Sequence, residues 1–193
     1  MTIDENDVLK SFDESVNVIN KSKLLKNDIL KVADRILDAI KNNNKIVIFG
    51  NGGSAADAQH MAAEFVGRFL INRQSLPAIA LTTDSSILTA IGNDFHFDEI
   101  FSRQCEALVN DGDIIFAIST SGKSKNVINA VNISKQKGAV IFSITGENES
   151  ELEKISDITL KIPSNSTPRI QEGHRIVIHV ICELVEEYFK NEN

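Results

Sequence analysis

Two clusters of residues in this 193-residue chain have the types and spacing to do chemistry. The first is Gly50-Asn51-Gly52-Gly53-Ser54, where the apolar run Lys45-Ile46-Val47-Ile48-Phe49 ends in glycines and passes into Ala-rich sequence. Such a pattern marks a buried strand turning sharply into a helix. Glycines let the backbone approach a ligand closely, and the first amides of a helix have no intrahelical partners, which suits an anion such as phosphate. Ser54 is placed to cap this helix, with Asp57 at the reciprocal position. Farther along, His60 and Glu64 stand four residues apart and share one helix face. That spacing serves a solvated pair as well as it serves two ligands of a metal ion.

The second cluster is Ser119-Thr120-Ser121-Gly122-Lys123-Ser124, four hydroxyls and a glycine between an apolar strand and a helix start. Hydroxyls and helix-terminal amides can converge there on phosphate oxygens, although an ordinary capped turn has a similar composition. Neither cluster is a nucleotide-triphosphate loop of the Walker type, because no Gly-Lys-Ser/Thr follows four spaced residues after a glycine. The first also departs from the GxGxxG spacing of dinucleotide-binding folds.

These residues must be held by the elements around them. Val8, Phe12, Val16 and Ile19 recur at helical spacing, as do Ile29, Val32, Ile36 and Ile40, so two amphipathic helices precede the first strand. They must cover the sheet or another subunit. A second short strand is expected within residues 76–83, followed by a helix over Ser85 to Ile91, a loop at Gly92-Asn93-Asp94 and a helix from Asp98 to Val109. Ile114 to Ile118 is apolar without alternation, as in a strand buried on both faces. A helix over Lys125 to Lys137 ending at Gly138, strands over 139–144 and 158–162, and a long helix from Thr167 to Lys190 complete the chain. Alternating strands and helices of this kind form a doubly wound α/β fold with a five-stranded parallel sheet. Ligands bind such sheets beyond the carboxyl ends of the strands, where both clusters lie.

Composition bounds the rest. With 42% hydrophobic residues the chain can bury one good core, and residues 1–193 are expected to form one domain with 1–44 as a helical extension. A net charge of −7 argues against broad attraction to nucleic acid or anionic lipid, so any anion must be held by local geometry. Cys105 and Cys182 fit neither a disulfide framework nor a CxxC metal site and are expected to be buried thiols. The acidic, polar start of the chain does not resemble a secretory signal, and no apolar run approaches the roughly 20 residues of a membrane span, so a cytoplasmic protein is expected.

Several motifs in one order carry a resemblance. Gly50-Asn51-Gly52-Gly53-Ser54-Ala55-Ala56-Asp57-Ala58-Gln59-His60 with Glu64 and Gly67-Arg68, then Ile91-Gly92-Asn93-Asp94-Phe95, Phe101-Ser102-Arg103-Gln104, the Ser119 to Ser124 loop and Arg169-Ile170-Gln171-Glu172-Gly173-His174 resemble the phosphoheptose isomerases. These belong to the sugar isomerase (SIS) domain group, whose flavodoxin-like α/β fold the resemblance implies here. It also implies conversion of sedoheptulose 7-phosphate to D-glycero-D-manno-heptose 7-phosphate, the first step of bacterial heptose synthesis for lipopolysaccharide or capsule.

Carried over position by position, the resemblance implies phosphate contacts from Ser119, Thr120, Ser121 and Ser124. It implies sugar contacts from Asn51, Gly52, Gly53, Ser54, Glu64, Asn93, Asp94 and Gln171. Arg68 is placed to reach the sugar or a neighbouring chain. One zinc per subunit is implied on His60, Glu64, Gln171 and His179, with Glu64 and His179 as the acid/base pair. Helical spacing by itself aligns Glu172, rather than Gln171, with His179. Pro168 stands where some relatives carry an acidic residue. His174 is expected to be structural, and His96 and Lys123 to be solvated. A homotetramer with His179 donated from a neighbouring chain is the assembly expected. Alternatives are a non-catalytic SIS protein acting through protein contacts and an SIS isomerase of another phosphosugar.

Overall fold

The computed structural model describes residues 4–190; the ends of the expected domain, residues 1–3 and 191–193, lie outside them. Among the described residues, β1 (Ile46–Gly50), β2 (Ala78–Ala80), β3 (Ile114–Ile118), β4 (Val140–Thr145) and β5 (Ile158–Lys161) form a parallel sheet in the order β2-β1-β3-β4-β5. β1 and β3 are continuous runs of apolar residues, and every one of their residues is buried, as strands covered on both faces require. Successive side chains alternate between two cores. Ile46, Ile48, Ile114 and Phe116 enter one, while Val47, Phe49, Ile115 and Ala117 enter the other.

On the first face lie α2 (Lys26–Lys41), α3 (Gly53–Val66) and the long α8 (Thr167–Lys190), with Val32, Ile36, Met61, Ile178 and Ile181 in the core. On the second lie α4 (Ser85–Asp94), α5 (Ser102–Leu108), α6 (Lys125–Gln136) and α7 (Glu151–Ile155). Each fully buried phenylalanine, such as Phe49 or Phe116, contributes about 1.5–3 kcal/mol of transfer free energy. α1 (Glu5–Ser22) starts in a capping box formed by Asp4 and Asp7 and leans on α8, where Arg169 donates to Ser15 Oγ at 2.7 Å. Of the two N-terminal helices, α2 is part of the main core. α1 instead leaves Val8, Leu9, Phe12 and Val16 exposed, Phe12 at 67%.

Three local expectations are corrected. Gly92, Asn93 and Asp94 are the last turn of α4 rather than a loop, because the Asp84 cap on Ile87 N and the packing of Leu88 and Ile91 outweigh the cost of one helical glycine, about 1 kcal/mol. The helix expected from Asp98 to Val109 is divided into a 3₁₀ turn at Phe97–Glu99 and α5, with Phe101 between them stacked on Phe49 at 5.4 Å. α7 was not expected; Ser150 caps it through Glu153 N at 3.2 Å.

Asp113, at the amino end of β3, accepts from Lys45 N at 3.0 Å and Asn110 N at 2.8 Å and also pairs with the Lys45 ammonium. Burial alone would raise its pKa, but these hydrogen bonds outweigh burial and hold it below 3.8. A depressed folded pKa gives stability that is fully present above the unfolded value of 3.8 and is lost as pH falls through the folded one. Asp113→Asn is therefore expected to cost about 1–3 kcal/mol at neutral pH and to flatten the acid limb of the stability profile. Urea midpoints measured at stepped pH check this; parallel acid limbs in parent and variant would contradict it.

Candidate active site

β1 and β3 are neighbours with Gly50 opposite Ile118, so both loops of interest leave adjacent strand ends at the point where the strand order reverses. Gly50 is required there, since a Cβ would lie 2.6 Å from Ile118 O and 2.8 Å from Ser54 Cβ. Gly52, at φ +56, is the N-cap of α3 and has no side-chain cap. The expected Ser54 cap with Asp57 is thus corrected. The glycines carry the chain into the helix before Ser54, which is buried in its first turn, and Asp57 turns instead to Arg175.

In the second loop, Gly122 at φ +60 folds back so that its N–H donates to Ser119 Oγ at 3.1 Å. Ser119 Oγ and Ser124 Oγ lie 3.3 Å apart, and Ser121 Oγ accepts from Lys123 N at 3.2 Å on the exposed side. Thr120 is half-buried and Ser124 begins α6 as its N-cap. The two loops are tied by reciprocal amide bonds: Asn51 donates to Asn126 at 2.8 Å and Asn126 donates back at 2.9 Å. Asn126 is buried and was not singled out from the sequence. Only its place two residues beyond Ser124 marks it.

α3 and α8 run in the same direction and meet in rungs. Gln171 lies against Gly53, where a Cβ would come within 2.4 Å of its Nε2. Arg175 Nη2 reaches Asp57 Oδ1 at 2.6 Å. His179 Nε2 stands 2.8 Å from His60 Nε2, which is 3.2 Å from Glu64 Oε1. Ligand atoms of His60, Glu64 and His179 all lie within 4.8 Å of one another, in a half-buried setting. This corrects the expectation that His179 comes from a neighbouring chain, because the three groups converge within one. Gln171 faces α3 as well, but at Gly53, eight residues and about 12 Å of helix from His179. Glu172, favoured by spacing alone, is paired with Arg169 at 2.9 Å.

The donor set fits a metal such as zinc, which accepts imidazole nitrogen and carboxylate oxygen. Burial, and after it the positive charge of Arg175, lower the pKa of His60 and favour the neutral ring a metal requires. Burial raises that of Asp57 despite Arg175 beside it. Burial pushes His174 down to about 4, Cys105 up to about 11 and Cys182 up to about 12, so the histidine is neutral and the thiols are protonated. A cleft of about 700 Å³ opens beside the triad's helices, lined by Gly53, Asp57, Gln171, Glu172 and Arg175 with Phe12 of α1. Arg68 is exposed after α3, and Asn93 and Asp94 are exposed and bonded to each other at 2.8 Å. Pro168 is exposed in the first turn of α8, a comfortable place for proline.

The family model of the SIS domain matches residues 10–146. A phosphoheptose isomerase of Trichlorobacter lovleyi is 52% identical over 159 residues, covering 82% of this chain and 81% of the relative. One from Aneurinibacillus thermoaerophilus is 46% identical over 192 residues, 97% of each chain. The solved structure of a phosphoheptose isomerase from Neisseria gonorrhoeae superposes with a TM-score of 0.90 at 40% identity, over 95% of this chain and 98% of that one. The chain belongs to the SIS domain family and, within it, to the phosphoheptose isomerases.

The amide pair between the loops generates a prediction. Asn126→Ala should leave the fold intact but release Asn51, raising KM about 5- to 150-fold with a smaller change in kcat, as for a lost buried hydrogen bond of about 1–3 kcal/mol. Steady-state kinetics check it; an unchanged KM would contradict the coupling of the two loops.

Proposed function

We propose that this chain is an aldose–ketose isomerase that converts sedoheptulose 7-phosphate to D-glycero-D-manno-heptose 7-phosphate. The observation that carries this reading is the convergence of His60, Glu64 and His179 between α8 and α3, the helix that starts from one of two adjacent anion-suited loops. The names of the relatives supply the substrate. Ser119, Thr120, Ser121 and Ser124 hold the phosphate, with α6's N-terminus favouring its charge. Asn51, Gly52, Gly53, Ser54, Arg68, Asn93, Asp94 and Gln171 bind the sugar. With the carbonyl at C2, Glu64 takes a proton from C1 while the C2 oxygen gains one, giving a cis-enediol; the C1 hydroxyl then gives up its proton as His179 returns one to C2, leaving the carbonyl at C1.

One zinc per subunit would be held by His60, Glu64 and His179 and would polarise the carbonyl as a Lewis acid; Gln171, held against Gly53 here, would join them as a further ligand only on turning along α3 toward His60. A carboxylate that coordinates zinc is a weaker base, so ligation and proton abstraction are in tension at Glu64. The chain acts as one SIS domain across residues 1–193 and as a homotetramer in the cytoplasm, its product entering lipopolysaccharide or capsule heptose. The exposed apolar residues of α1 support assembly. No described helix is long and apolar enough to cross a membrane. A light-scattering mass of one 21.2 kDa chain for active protein would overturn the tetramer.

The test is conversion of sedoheptulose 7-phosphate followed by NMR, before chelation, after it and with zinc restored. Activity is expected to fall on chelation and return with zinc. Glu64→Gln and His179→Gln are each expected to fold as the parent does and lose at least about 10²-fold in kcat, the usual scale for a general acid or base. No conversion by well-folded parent protein would overturn the isomerase assignment, and near-normal turnover in either variant would overturn that residue's role.

A further inference from the structure

Below the His60–His179 contact, the same two helices are joined by a group that touches neither substrate loop. The side chains of Arg73 and Glu186 are 2% and 4% exposed, and Arg73 Nε lies 3.2 Å from Glu186 Oε1. The carboxylate of Glu186 also accepts three consecutive backbone amides, Phe69 N at 2.8 Å, Leu70 N at 2.6 Å and Ile71 N at 3.1 Å. The Arg73 guanidinium donates to carbonyls at the end of α3, Nη2 to Glu64 O at 2.7 Å and Nη1 to Phe65 O at 2.9 Å, and to Gln74 O at 2.8 Å. Within the loop so held, Phe69 is set against His179, their ring centroids 5.6 Å apart and tilted by 47°.

We propose that Arg73 and Glu186 are positioning residues that set the spacing and orientation of Glu64 and His179. The inference rests on reading the triad as the metal-binding and reacting centre. Arg73 terminates α3 at Glu64's own carbonyl, where a cation is favoured by the helix's partial negative charge. Glu186 lies seven residues after His179 on the same face of α8. Joined, they lock the C-terminal end of α3 to α8 and fold residues 69–71 into a backbone cradle whose Phe69 limits the rotation of the His179 ring. Both partners bury charge in a setting where one without the other is costly.

The experiment compares parent protein with Glu186→Gln, Arg73→Lys and Phe69→Leu, using Asp113→Asn as a control for loss of a buried carboxylate at the amino end of the sheet. Metal-free proteins are titrated with zinc against a chromophoric chelator, and thermal unfolding is recorded on the same samples. Zinc affinity is expected to fall about 10- to 100-fold in the three variants, the scale for residues that orient metal ligands, and to stay at the parental value in Asp113→Asn even where its Tm falls as far. Parental zinc affinity in Phe69→Leu and in whichever of Glu186→Gln and Arg73→Lys folds would overturn the proposal. Phe69→Leu leaves the buried pair in place, so a reading is obtained even if both charge variants fail to fold. If the parent binds no zinc, the metal assignment has failed, and positioning is read from kinetics on sedoheptulose 7-phosphate. A fall in kcat with KM unchanged supports it, and equal kcat in parent and Phe69→Leu overturns it.

Discussion

The close, same-direction approach of α3 and α8 is the constraint on which the site depends, and at Gly53 it leaves room for the Gln171 amide. With any side chain at that position, the Gln171 amide, 2.4 Å from the new Cβ, would have to swing aside. Because both helices repeat every 3.6 residues, a contact made at Gly53 and Gln171 recurs one turn later as Asp57 with Arg175 and again as His60 with His179. The chemistry-bearing pair is therefore one rung in a periodic interface. Its neighbours are a glycine contact at one end and a buried ion pair at the other, which fix the separation between them.

The sheet supplies the second constraint. β1 and β3 are adjacent although β2 lies between them in the chain, and this reversal sets a glycine-rich loop beside a hydroxyl-rich one. The Asn51–Asn126 bonds make the pair a unit, so the anion-suited loops and the helix carrying His60 share one rigid base. Electrostatics follow from this packing. Burial, and after it the positive charge of Arg175, lower the pKa of His60, while Asp57 pairs with that arginine.

Much of this was legible in the residues. Thr167 to Lys190 was bounded correctly because a proline in the first turn and an unbroken helical pattern mark it, and β3 was bounded correctly because its five apolar residues are flanked by Asp113 and Ser119. The i,i+4 relation of His60 and Glu64 was visible, but its meaning depended on His179, 119 residues away. The same holds for Asn126, Arg73 and Glu186, whose partners are set by packing and leave no local pattern. Spacing along α8 even favoured Glu172 over Gln171, because helical angle alone takes no account of Arg169 holding Glu172 and Gly53 opening space for Gln171. The continuation of α4 through Gly92 was misjudged for a related reason: glycine is a weak breaker when its helix is capped and packed.

The sequence distance between His60 and His179 has a consequence for biogenesis. One histidine sits in the third helix and the other in the last, so no segment of a growing chain short of α8 contains both. Strand pairings between residues far apart in sequence are also slow to close, because the entropy of the intervening loop must be overcome first. A metal ion would therefore find no complete nest during synthesis, and any loading of the centre would wait for α8.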